Sequence, residues 1–188
     1  MKNYFIIALI GVTLVGCKET VKEEENNNEE QVEVVEKSAT ATALISAKSN
    51  SSVSGTVTFT ENDGKVYMKA DFTGLTPGEH AIHIHENGDC SAEDGSSAGG
   101  HWNPTKEDHG EWDHKMFHKG DIGNLTADEN GIASITKETD LWCISCEDET
   151  KNIIGKSIVV HKDADDMKSQ PSGNAGDRIG CGEIVLEQ

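Results

Sequence analysis

In the pentapeptide Ala81-Ile82-His83-Ile84-His85, two isoleucines alternate with two histidines. Side chains two residues apart along an extended chain share a face, and neighbours oppose one another. One face of this strand is therefore apolar, and the other carries two imidazoles side by side. Ile158-Val159-Val160-His161 repeats the arrangement, with Ile158 and Val160 facing one way and His161 the other. If the apolar residues enter a core, His83, His85 and His161 stand on an outer wall, and a site built there must be roofed by loops.

Alternation dominates the rest of the chain as well. Val66, Met68, Ala70 and Phe72 line one face, with Tyr67, Lys69 and Asp71 on the other; Val57 and Phe59 alternate with threonines. Asp63-Gly64 sits between these two runs and predicts a tight hairpin. Further short runs lie at Ala39–Ser46, Ala81–His85, Gly131–Thr136, Lys156–His161 and Glu183–Leu186, with long polar loops between the later ones. No stretch of the domain has a convincing helical period. The pattern predicts an all-β domain, an antiparallel sandwich or flattened barrel. Residues 86–125 form a loop of unusual length, and such loops are commonly functional or disordered.

The N-terminal region reads as an address. Met1-Lys2-Asn3 is a short positive start, and Tyr4 to Val15 is an apolar run too short to span a bilayer comfortably. It ends in Leu14-Val15-Gly16-Cys17, which resembles the lipobox of bacterial lipoproteins, whose cysteine is lipidated. The alternative is an ordinary signal peptide with an incidental Cys17; the cysteine's position at the end of the apolar run favours the lipoprotein. Residues 1–16 are thus expected to be a signal peptide. Residues 17–38 are expected to be a lipidated cysteine and an acidic, disordered tether spanning roughly 25 Å. Residues 39–188 are expected to be one domain. Of the chain's 16 basic and 34 acidic side chains, four and eight precede residue 39, leaving 12 and 26, a formal domain charge of −14. Nucleic acid is therefore an unsuitable partner. Apart from Cys17, the cysteines are Cys90, Cys143, Cys146 and Cys181, enough for two disulfides in an oxidising compartment.

The histidines are not scattered. His83 and His85 begin a natural metal site, although two histidines alone on a strand would more often be plain surface residues. His101, His109, His118 and Asp121 follow in one Gly-rich stretch. Three imidazoles and a carboxylate suit zinc, which takes four such ligands in a closed structural site. A merely solvated loop does not explain why Asp121 follows His118 so closely.

His83-Ile84-His85-Glu86-Asn87-Gly88-Asp89-Cys90, Gly99-Gly100-His101-Trp102-Asn103-Pro104, Gly120-Asp121-Ile122-Gly123-Asn124-Leu125, Ala164-Asp165-Asp166 and Gly173-Asn174-Ala175-Gly176-Asp177-Arg178-Ile179-Gly180-Cys181-Gly182 resemble copper/zinc superoxide dismutase, in order, from about residue 40 onward. The resemblance implies a Greek-key, immunoglobulin-like β-sandwich. It implies copper on His83, His85, His101 and His161, and zinc on His101, His109, His118 and Asp121, with His101 bridging. Asp165 matches the carboxylate that links a copper histidine, His83, to a zinc histidine, His109. Arg178 matches the arginine beside copper, which attracts the small superoxide anion. Arg178 and His101 are the expected catalytic residues. The implied reaction is disproportionation of superoxide to dioxygen and hydrogen peroxide. Cys90 and Cys181 match the family's internal disulfide. His80 and His114 match no ligand position and read as surface histidines.

Two features depart from the common pattern. The stretch from Lys162 to Asp177 is short and resembles the exported bacterial branch; Lys162, Lys168 and Arg178 are its candidates for steering an anion toward an acidic protein. Cys143-Ile144-Ser145-Cys146 is an addition. Following Trp142, it superficially resembles a thioredoxin motif, but acidic residues and a β-branched run follow where a helix is needed, which favours a structural loop disulfide; as a metal site it has only two ligands. Function classes other than an enzyme are a non-catalytic copper/zinc-binding envelope protein and a surface interaction module. The first is disfavoured by the presence of all seven ligand positions and Arg178, the second by the histidines. A homodimer is the preferred assembly, at a periplasm-facing or cell-surface membrane location.

Overall fold

The computed structural model describes residues 38–188. The signal peptide expected over 1–16 and the lipidated cysteine and tether expected over 17–38 lie, up to residue 37, outside the described residues. Eight strands form among those described: β1 (Ala39–Ala47), β2 (Ser54–Asn62), β3 (Lys65–Thr73), β4 (Gly78–His85), β5 (Asp121–Ala127), β6 (Ala133–Thr139), β7 (Ser157–His161) and β8 (Arg178–Leu186). Among the described residues the one helical turn is a 3-10 turn over Ser96–Ala98.

Strand β3 buries Val66, Met68, Ala70 and Phe72 and exposes every residue between them. Its hairpin with β2 closes on the pair Asn62 and Lys65. Asp63 and Gly64 both have positive φ, 49° and 74°, the mirror-image turn whose twist matches paired strands. Every strand pair is antiparallel, and the strand order is β5-β4-β7-β8-β1-β2-β3-β6. Pairing β3 with β6 and β4 with β7 is the Greek-key crossing, and the outer strands β5 and β6 approach each other so that the barrel nearly closes.

The interior unites side chains from all eight strands. Ile82, Ile84, Ile158, Val160 and Ile184 join Phe59, Met68 and Phe72 in the main core. Val159 and Cys181 instead pack outside, with Ala98 under the long loop after β4. The outward faces of β4 and β7 are thus covered rather than solvated, and His83, His85 and His161 are buried there.

Two sequence expectations need correction. The loop after β4 ends at residue 120, because Asp121–Ala127 pairs with β4 as β5. Its alternation is masked by Gly123, at φ 122°, and by a bulge in the β4–β5 ladder between Ile82 and His83. His80 is not a surface histidine: it is 1% exposed. Its Nδ1 meets the carbonyl of His161 at 2.9 Å and its Nε2 that of Thr76 at 2.8 Å. The His161 carbonyl is buried and needs a donor, and His80 shares the inward parity of Ile82 and Ile84. His114 is exposed.

Candidate metal centre

Four histidines converge over the outer face of β4 and β7. His83 and His85 come from β4 and His161 from the end of β7. His101 is carried in by the loop, whose main chain pairs with β4 through a His85–His101 bridge. Trp102 N donates to Ile84 O and Ile84 N to Gly120 O, so the loop is stitched at its middle and at its far end to the strand that supplies His83 and His85. A ring nitrogen from each of these four residues lies within 4.8 Å of the others.

Each ring has one nitrogen committed elsewhere. His83 Nε2 meets Asp165 Oδ2 at 2.8 Å, His85 Nδ1 meets Gly99 O at 3.0 Å, and His161 Nδ1 meets Gly176 O at 3.4 Å. These acceptors require N–H on that nitrogen, which leaves the other with a lone pair aimed inward. His85 Nε2 and His161 Nε2 come within 3.3 Å of each other. Burial pushes the pKa of His83 down, and that of His85 and His161 further down, with neighbouring imidazoles adding to the effect on the latter two. At neutral pH this set is neutral.

The second set gathers around Asp121 at the start of β5. His101 Nδ1 lies 2.8 Å from Asp121 Oδ1, His109 Nδ1 lies 3.0 Å from Oδ2, and His118 Nδ1 lies 3.2 Å from Oδ1. His118 N also donates to Asp121 Oδ2 at 2.8 Å. His101 therefore belongs to both sets, turning Nδ1 to the second and Nε2 to the first. Burial lowers its pKa to about 4, against the pull of Asp121. Burial alone would raise the pKa of Asp121, but the His101, His109 and His118 rings packed against it, with the His118 amide, hold it far below the usual carboxylate range. Burial also opposes charge on His109, yet Asp121 and Asp165 together lift its pKa to about 9.

Asp165 stands behind both sets. Its Oδ2 faces His83 Nε2, and its Oδ1 faces His109 Nε2 at 2.9 Å. Asn124 of β5 fixes it, with Asp165 N donating to Asn124 Oδ1 and Asn124 Nδ2 to Asp165 O. Gly173 packs directly against this carboxylate, and a Cβ there would collide with it.

His85, His101, His118, His161 and Arg178 open onto a cleft of about 390 Å³, with Pro171 and Ser172 at its margin. Arg178 Nη1 donates to Gly95 O at 2.8 Å, so the guanidinium is tied to the loop after β4. A disulfide between Cys90 and Cys181 joins that loop to β8, and a second links Cys143 to Cys146. Lys162 and Lys168 are exposed and do not line the cleft.

All eight residues named from the sequence as ligands or as the carboxylate behind them come together here, and Arg178 adjoins them. The fixing groups that sequence reasoning missed are the carbonyls of Gly99 and Gly176, which carry no side-chain signature, and Gln170, whose amide meets the main chain of His109.

Residues 53–184 match the model of the family described as copper/zinc superoxide dismutase. The chain is 41% identical over 147 residues to an extracellular Cu-Zn superoxide dismutase of Drosophila melanogaster, covering 73% of this chain and 78% of that protein. It is 43% identical over 142 residues to a Cu-Zn superoxide dismutase of Paramecium bursaria Chlorella virus 1, covering 70% and 72%. The crystal structure of the clock protein EA4 superposes with a TM-score of 0.69 at 38% identity, covering 79% of this chain and 94% of that one. Joined to two buried histidine sets that share one ring, these likenesses carry the conclusion that the chain belongs to the copper/zinc superoxide dismutase family, enzymes that use copper and zinc to disproportionate superoxide.

Proposed function

We propose that His83, His85, His101 and His161 hold the copper, that His101, His109, His118 and Asp121 hold the zinc, and that His101 is shared. The observation that carries this assignment is a set of orphaned atoms. His83 Nδ1 and His101 Nε2 are buried without a hydrogen-bond partner, and so are His109 Nδ1 and His118 Nδ1, which lie beside Asp121 but outside hydrogen-bond geometry. An unsatisfied buried polar group costs about 1–3 kcal/mol, and metal ions suited to imidazole and carboxylate donors relieve that cost.

Copper, when bound, supplies one-electron redox chemistry, while zinc supplies charge and geometry without redox. The residues do the remaining work. Two superoxide ions and two protons become one dioxygen and one hydrogen peroxide, so the site must attract anions and deliver protons. The Arg178 guanidinium, anchored through Gly95 O, offers fixed positive charge and N–H donors at the cleft. His101 Nε2 faces the copper set, where it can hold a proton and release it to the reduced product. Asp165 holds His83 and His109 in the tautomers that leave their inward nitrogens free.

The protein is exported and held at a bacterial cell envelope by lipid on Cys17, with residues 17–38 as tether to the domain at 39–188. Support comes from the Leu14-Val15-Gly16-Cys17 sequence, from the two disulfides, and from relatives named as extracellular enzymes. A homodimer is the proposed assembly; the exposed apolar side chains of Leu44 on β1 and Val185 on β8 support it.

Metal analysis with a dismutation assay on the full chain tests the assignment. His161→Ala should lose copper and activity while keeping zinc. A variant that retains both metals and full activity would refute it. Mass spectrometry of the mature N-terminus checks the acylated Cys17, and sedimentation checks the dimer.

A further inference from the structure

The segment between β7 and β8 reaches His109 twice. Asp165 accepts from the ring at Nε2. Further along, Gln170 meets the main chain of the same residue: His109 N donates to Gln170 Oε1 at 2.9 Å, and Gln170 Nε2 donates to His109 O at 2.9 Å. Only one orientation of the amide satisfies both bonds, because the N–H needs an acceptor and the carbonyl a donor. The reciprocal pair imitates the doubly bonded pair of an antiparallel ladder, and His109 lies in a loop outside any strand.

Gln170 is itself presented by a structured turn. Asp166 Oδ1 accepts from Lys168 N and Ser169 N, and Asp166 Oδ2 from Asn174 Nδ2. Gln170 Nε2 also reaches Lys168 O at 3.3 Å. Pro171 and Ser172 follow directly and border the cleft.

We propose that Gln170 is a positioning residue for the zinc set: its amide fixes the main chain of His109 while Asp165 fixes the ring, and together they aim Nδ1 at the metal. This rests on the reading of His109 as a zinc ligand. Backbone and ring are then restrained from one segment, which also shapes the approach to copper.

The test uses the full chain, with zinc affinity read by competition against a chromophoric chelator. The ligand-field spectrum of Co(II) in the zinc set and the unfolding midpoint of the metal-free protein accompany it. Gln170→Ala removes both bonds and should weaken zinc binding about tenfold, the lower end for groups that orient metal ligands. Gln170→Glu keeps the acceptor for His109 N and loses the donor, and should recover part of that loss. The cobalt spectrum should change in Gln170→Ala while the metal-free midpoint stays near that of the parent. Zinc affinity within twofold of the parent and an unchanged cobalt spectrum would overturn the proposal. So would a loss of affinity matched by equal destabilisation of the metal-free protein, which marks a scaffold role only. A parent chain that takes up no zinc overturns the ligand reading as well; an indifferent variant of a zinc-binding parent overturns only the clamp.

Discussion

The two disulfides should differ sharply in what they contribute. Cys90 and Cys181 are separated by 91 residues, Cys143 and Cys146 by three. In the chain-entropy account, closing a loop removes unfolded-state freedom in proportion to the logarithm of its length; the long loop corresponds to about 4.6 kcal/mol and the short one to about 2 kcal/mol. For a domain near 150 residues, each kcal/mol moves the melting midpoint by about 2–4 °C. The double variant Cys90→Ala/Cys181→Ala should therefore melt about 9–18 °C below the parent, and Cys143→Ala/Cys146→Ala about 4–8 °C below. Thermal unfolding of the metal-free proteins without reductant measures both, free of differences in metal loss. A functional asymmetry should accompany the thermal one. The long bridge tethers the loop whose Gly95 carbonyl holds Arg178, whereas the short hairpin is independently held by Asn152, which accepts from Ser145 N and donates to Cys146 O. Metal-loaded Cys90→Ala/Cys181→Ala should lose activity, and the other pair should keep it. Equal melting losses, or a larger loss from the short bridge, would refute the entropic reasoning; full activity without the long bridge would refute its link to Arg178.

Asp165→Ala leaves the donors of His83 and His109 without their shared acceptor, and copper and zinc affinities, read by chelator competition, should each fall about tenfold or more. The Asp166 carboxyl is held at about pKa 2 by hydrogen bonds from the Ser169 side chain and from the Ser169 and Lys168 amides. Because this lies below the ordinary carboxylate value, its stabilising contribution is complete above about pH 4 and fades as pH falls toward 2. The difference in unfolding midpoint between Asp166→Asn and the parent should accordingly be present at pH 6 and shrink toward pH 2. Neutralising Lys168, which is exposed and outside the cleft, should slow dismutation more at low salt than at high salt, as long-range steering does. Arg178→Ala should slow it at both, since that guanidinium also offers hydrogen bonds at the cleft.

What could be read from the sequence divides along a physical line. Side-chain patterns that act through the strand repeat were legible: β3 alternates as expected, the Asp63-Gly64 turn forms, and His83, His85 and His161 point away from Ile82, Ile84, Ile158 and Val160. Strand β5 was not, because a glycine and a bulge break its period while its pairing with β4 comes from distant residues. The parity of His80 with Ile82 points it inward, and its burial follows from the strand repeat and not from any ligand role. The proposed ligand positions rest on resemblance, since nothing in local spacing says that His161 returns to His83. Least legible were the groups that set tautomer and aim, namely the carbonyls of Gly99 and Gly176 and the amide of Gln170. Any residue supplies a carbonyl, so its contribution depends only on where the loop carries it. The loops here are stitched to β4 by main-chain bonds at Trp102 and Gly120, so the metal sets inherit their geometry from the sheet. Residues that merely fasten a loop, such as Asp166 and Gln170, should thus influence metal affinity although neither offers an atom to a metal.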